Sequence, residues 1–83
     1  MEHLFKEIVD HFEDIFEGEW APEVEDRASI TPSSSFRDTV YWDSLGTLSV
    51  IVMLSDNYGV SVTPKQINEE LVSYQDLIDL IKS

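Results

Sequence analysis

The sequence predicts a small all-α domain with three longer helices, one short helix and a long first loop. Three observations carry this. Apolar residues recur at three- and four-residue spacing near both ends of the chain. Asp43-Ser44 and Gly59 bracket a second helical segment, and Thr63-Pro64-Lys65-Gln66 and Ser73 are helix-start signals.

Each element has its own warrant. Residues 4 to 16 read as an amphipathic helix, because Leu4, Phe5, Ile8, Val9, Phe12, Ile15 and Phe16 fall on one stripe and Glu7, Asp10, Glu13 and Asp14 lie outside it. Gly18 is its expected stop. Residues 18 to 42 hold Pro22, Pro32 and the Ser33-Ser34-Ser35 run and read as a loop. Loops of this length in a compact domain are unusual and often functional. Trp20, Val24, Ile30, Phe36 and Val40 punctuate it, and Ile30 and Phe36 are expected to pin it to the core. The second helix runs from about Ser44 to Tyr58, capped by Asp43 or Ser44 and closed by Gly59 in the left-handed region. Val50, Ile51 and Val52 are β-branched and would suit a strand, but the caps and the Ile51, Leu54, Tyr58 spacing predict helix. Thr63 caps a short third helix to about Glu70, with Pro64 at its first position and Gln66 completing a capping box. Ser73 caps the last helix, with Asp76 as its capping-box acid and Tyr74, Leu77, Ile78 and Ile81 as its stripe.

Composition narrows the function. At 83 residues the chain is expected to form one domain, 1–83, since single cores rarely split below about 100 residues. So small a core leaves little room for a walled catalytic pocket and favours a carrier or binding module. Asp plus Glu number 17 against five Lys plus Arg, for a net charge of −12. Nucleic-acid and anionic-membrane partners are therefore disfavoured, and a basic protein surface is attracted. The absence of cysteine excludes disulfides, thiolate metal sites and a cysteine nucleophile, and fits a cytoplasmic location. The longest purely apolar run, Val50 to Leu54, is far short of a membrane span. The N-terminal residues lack the apolar stretch of a signal peptide.

The chemistry centres on Asp43-Ser44-Leu45. A helix N-terminus presents unpaired N–H groups and a partial positive charge, which suit a phosphate-bearing group. Alone, the tripeptide is no more than a good cap. In context, Asp43-Ser44-Leu45-Gly46-Thr47-Leu48 resembles the attachment motif of acyl carrier proteins. Ile30-Thr31 and Ser35-Phe36 stand upstream at that family's spacing. Val50, Ile51, Leu54 and Tyr58 match core positions of its second helix, and Val62 and Pro64 match the start of its third. Leu71, Ile78 and Ile81 fit its last segment if one extra residue is allowed near the third helix. The resemblance is detailed from about Ile30 to Ile81, and the first helix matches in pattern only.

The resemblance implies a four-helix acyl-carrier-type bundle. It implies that Ser44 receives 4′-phosphopantetheine from coenzyme A through a separate transferase, and that the arm's thiol carries acyl groups between enzymes of fatty acid, polyketide or related pathways. Asp43 matches the acid that helps the transferase engage its metal-bound substrate. Leu45, Leu48, Val52 and Asp56 match positions that contact partner enzymes. For Leu48 and Val52 a core role is the competing account. The chain would be no enzyme but a tethered substrate, a monomer meeting a phosphopantetheinyl transferase and acyl-loading and acyl-processing enzymes with basic docking surfaces.

Two departures qualify the match. Tyr41-Trp42 stands where the family often has glycine and a small or aliphatic residue, and either partner contact or packing accounts for it. Acids that flank the second helix in many relatives fall on Gly46, Ser49 and Ser55, leaving Asp56 as that helix's one acid. Ten acids instead lie between Glu2 and Asp26. This favours a dedicated partner set over a standard fatty acid synthase. The paired glycines typical before the serine of peptidyl carriers are missing, which argues against that branch.

Other readings are weaker. His3, Glu7 and His11 share a helix face, but two histidines without thiolates read as a solvated surface. A Ser44, Asp43, His11 triad lacks the Gly-x-Ser-x-Gly elbow and the sheet that presents it. The acids from Glu13 to Asp26 lack the ligand alternation and glycine of a calcium loop. The main alternative is an unmodified carrier-fold interaction module that docks a basic partner through an acidic surface and an apolar face.

Overall fold

A computed structural model describes residues 3–83. Glu2, the first of the ten acids above, lies outside them. The chain forms α1 (His3–Ile15), a 3-10 turn (Arg27–Ser29), α2 (Ser44–Tyr58), a short wide helix (Gln66–Glu70) and α3 (Tyr74–Lys82). The expected all-α bundle of three longer helices and one short one is the observed fold. α1 packs on both α2 and α3, and the short helix lies against α2.

The ends of these elements follow local chemistry. α1 closes with Gly18 N–H donating to the Glu13 carbonyl and Glu17 N–H to that of Asp14, the paired bonds of a Schellman motif. Gly18, the expected stop, has positive φ, but so does Glu17, at 57°. The left-handed residue that turns the chain is therefore a glutamate, with glycine following it. Asp43, and not Ser44, caps α2 through its side chain, and Gly59 ends α2 in the left-handed region. Thr63 and Gln66 form the expected capping box, each side chain accepting from the other's backbone N–H. The short helix then widens, with Leu71 N–H reaching back five residues to the Gln66 carbonyl. The Ser73–Asp76 capping box opens α3.

The long first loop is ordered by what it touches. Trp20 pairs with Val40, and Ala21 N–H donates to Thr39, so the loop's two ends meet. Arg27 reaches α1, pairing with Asp10 and Glu13. At its far end the loop supplies carbonyls to α3. Tyr74 N–H donates to Ser34, Gln75 N–H to Pro32, and Phe36 N–H to Val72. The first turn of a helix has N–H groups with no partner inside the helix. Here the loop satisfies two of them, and Ser73 Oγ satisfies Asp76 N–H. Ile30 and Phe36 are buried as expected, Val40 joins them, and Trp20 and Val24 pack against the same core.

Phe12 sits at the centre. Its ring lies 5.2 Å from that of Tyr74, 5.8 Å from Phe16, 6.0 Å from Phe36 and 6.4 Å from Trp42. These centroid distances are those of favourable edge-to-face and tilted aromatic pairs. The aromatic cluster joins α1, the loop and α3, and Trp42 extends it to the start of α2. Among the described residues no helix is long and apolar enough to cross a membrane.

Candidate functional site

Ser44 is the first residue of α2 and is exposed. The turn beneath it is fixed from three sides. Asp43 takes an extended backbone, and its Oδ1 accepts Gly46 N–H at 2.7 Å while its carbonyl accepts Thr47 N–H at 3.0 Å. From α1, the Phe16 ring presses on Gly46 so closely that a Cβ there would lie 2.7 Å from two ring carbons. From the loop and the short helix, a hydrogen-bond network closes in. Trp42 Nε1–H donates to Thr47 Oγ1 at 3.0 Å and to Asn68 Oδ1 at 3.1 Å, and the Thr47 hydroxyl donates to Asn68 Oδ1 at 3.1 Å. Thr47 is buried, so these bonds satisfy a polar group that would otherwise be costly.

Trp42 is thereby a packing residue, with its ring 5.5 Å from Phe16 and 5.6 Å from Phe36. Tyr41 beside it is 58% exposed. The two members of the aromatic pair thus divide between core and surface.

α2 is apolar on two sides. Gly46, Thr47, Val50, Met53 and Leu54 face the core. Leu45, Leu48 and Val52 are 70%, 57% and 55% exposed. The core account of Leu48 and Val52 is therefore replaced by a surface one, and a stripe at three- and four-residue spacing runs from Leu45 past Val52 toward exposed Asp56. The sequence pattern could not divide the two sides, because both are apolar.

The short helix is anchored to the loop as well. The Arg37 guanidinium donates to the carbonyls of Ile67 and Leu71 and lies over the Phe36 ring at 5.2 Å. Phe16, Arg37 and Asn68 are the supports that sequence reasoning missed. The capping and spacing rules that found the helices carry no information on which helices meet.

The arrangement suits an esterified phosphate on Ser44. The hydroxyl is open to solvent, and the N–H groups of Ser44 and Leu45 donate to no acceptor among the described residues. Unpaired N–H groups and the helix dipole favour an anion at such a position, by about 0.3–1 kcal/mol from the dipole. Among the described residues no cluster of three or more His, Asp or Glu side chains is arranged to hold a metal ion. His11 instead packs edge-on against Tyr58, with ring centroids 5.9 Å apart.

The phosphopantetheine attachment site family matches residues 14–81. An acyl carrier protein of Myxococcus xanthus is 30% identical over 56 residues, which cover 68% of this chain and 70% of that one. An acyl carrier protein of Micrococcus luteus is 30% identical over 56 residues, covering 68% of each chain. No solved structure matches the chain significantly.

Proposed function

Because the chain belongs to the phosphopantetheine attachment family of acyl carrier proteins, carriers and not catalysts, we propose that Ser44 is the residue that bears its 4′-phosphopantetheine arm. One observation carries the assignment: Ser44 is an exposed hydroxyl at a helix N-terminus whose turn is held rigidly by Asp43, Phe16, Trp42 and Asn68. The arm supplies a thiol that holds acyl groups as thioesters. The protein's own residues do the rest. Asp43 fixes the turn through Oδ1, and its other carboxylate oxygen accepts no hydrogen bond among the described residues, leaving it free for the transferase. Leu45, Leu48 and Val52 offer an apolar contact stripe, ended by Asp56. Tethering raises the effective concentration of cargo at each partner, so weak and brief docking suffices.

The cargo belongs to fatty acid, polyketide or a related specialised metabolism. A single acid on α2, with ten of the chain's 17 acids between Glu2 and Asp26, favours dedicated partners over a general synthase. We place this carrier in the cytoplasm as a monomer, and its lack of cysteine is compatible with a reducing compartment.

The test is intact mass after incubation with coenzyme A, magnesium and a broad-specificity phosphopantetheinyl transferase. Wild-type protein is expected to gain one phosphopantetheine group. Ser44→Ala is expected to gain none while melting normally, since the side chain is exposed and Asp43 provides the cap. A Ser44→Ala protein that still supports partner binding and pathway activity would instead favour the unmodified interaction module.

A further inference from the structure

Trp42 stands at the junction of four elements. Its ring packs on Phe12 and Phe16 of α1, at centroid distances of 6.4 and 5.5 Å, and on Phe36 of the long loop at 5.6 Å. Its Nε1–H reaches Thr47 of α2 at 3.0 Å and Asn68 of the short helix at 3.1 Å, and the Thr47 hydroxyl closes the triangle to Asn68 at 3.1 Å. Thr47 is buried, the indole is half-buried and Asn68 is exposed, so the triangle lies where the seam between α2 and the short helix meets solvent. Thr47 is one turn along α2 from Ser44. A chain attached at the serine that heads inward along this seam meets the triangle before it meets Val50, Leu54 or Ile67.

We propose that Trp42 is a specificity-determining residue for cargo: its indole fills the seam between α2 and the short helix, so the acyl chain on the arm stays outside the bundle whatever its length. The inference rests on the reading of Ser44 as the attachment residue.

Space is the first argument. An apolar chain gains with each methylene it takes out of water, so a long acyl group is drawn to any apolar space the arm can reach. Behind Trp42 that space is filled. Phe12, Phe36, Tyr74 and Leu54 are fully buried there. Protein interiors are packed closely enough that an added chain must displace side chains.

Fastening is the second. Moving the indole breaks its bonds to Thr47 and Asn68 and strips its contacts with three aromatic rings. The short helix is also tied from the loop, where the Arg37 guanidinium donates to the carbonyls of Ile67 and Leu71. The short helix therefore swings away from α2 only by giving up both sets of bonds.

The test uses the full chain loaded from acetyl-coenzyme A or octanoyl-coenzyme A by a broad-specificity phosphopantetheinyl transferase with magnesium. Intact mass establishes complete loading before any other measurement. The wild-type acetyl and octanoyl forms are expected to melt together, with coincident methyl resonances for Val50 and Leu54. Trp42→Ala removes the indole and leaves an apolar space of the kind that takes up apolar ligands. Both its forms are expected to melt below wild type, but its octanoyl form several degrees above its acetyl form, with the Val50 and Leu54 methyl resonances displaced. A purely structural Trp42 would lower both forms equally. Trp42→Leu keeps apolar bulk and is expected to show the same gap, reduced, so it decides the matter if the alanine variant does not fold. An octanoyl wild-type protein that melts above its acetyl form with displaced core methyls would overturn the proposal, as would variants whose two forms melt together. A wild-type protein that acquires no arm would overturn the Ser44 reading and this inference with it.

Discussion

At Gly46 a methyl group would stand 2.7 Å from two carbons of the Phe16 ring. Real Cβ atoms do not approach so closely, so either the ring or the α2 turn must move. Gly46→Ala is expected to destabilise the fold by about 1–3 kcal/mol, the usual range for overpacking. Adding Phe16→Leu should recover part of the loss, and a double-mutant cycle in denaturant measures the coupling. Tyr74 gives a pH-dependent prediction. It is fully buried, and burial pushes its hydroxyl up to about 12. An unfolded tyrosine ionises near 10, so the folded chain holds this proton more tightly than the unfolded one. The stability it contributes is complete below about 10 and is lost as pH rises toward about 12. Unfolding midpoints followed across that window should decline, and Tyr74→Phe should flatten the decline. The substitution also removes the 2.8 Å hydrogen bond between Tyr74 and Thr39, so its stability at neutral pH is measured alongside.

The elements owe their ends to short-range chemistry and their placement to long-range contact. The turn after α1 uses Glu17 in the left-handed region, where a side chain is strained. Glu17→Gly should relieve that strain and stabilise the protein by about 1 kcal/mol, read as a rise in denaturant midpoint with unchanged slope. No gain would mean that the strain at Glu17 is offset by the greater freedom that glycine gives the unfolded chain. The helix starts at Thr63 and Ser73 were legible because a capping box is a local motif. The widening of the short helix was not, because it depends on Arg37, which arrives from 30 residues earlier to draw on the Ile67 carbonyl. The long loop was legible as a loop and as functional in a general sense. Its use as a cap for α3 was not, because carbonyls carry no sequence signature.

The whole molecule is held by a small aromatic core against strong self-repulsion. A chain of 83 residues at about 0.05–0.15 kcal/mol per residue has only about 4–12 kcal/mol of stability. A net charge of −12 acts against that margin. Added salt or a divalent cation is therefore expected to raise the melting temperature by several degrees, as followed by circular dichroism. A flat dependence would show that repulsion among these acids is not a significant term. The charge is also uneven. α2 carries one acid, while the segment from α1 through Asp26 carries many, and Glu17 and Glu19 of that segment line a cleft with Asp43 and Leu45.

Sequence alone determined the helical class, the helix limits to within a few residues, and Ser44 at a helix start, because periodicity and capping act over three or four residues. It also determined the family resemblance through the motif around Ser44. Tertiary structure alone decided which side of α2 is buried, since Leu48 and Val52 resemble Val50 and Leu54 in every local property. It alone divided Tyr41 from Trp42, set Phe16 under Gly46, and joined Asn68 to the serine's turn. Those contacts link residues far apart in the chain, and only the packing of α1, the loop and the short helix around α2 brings them within a few ångströms.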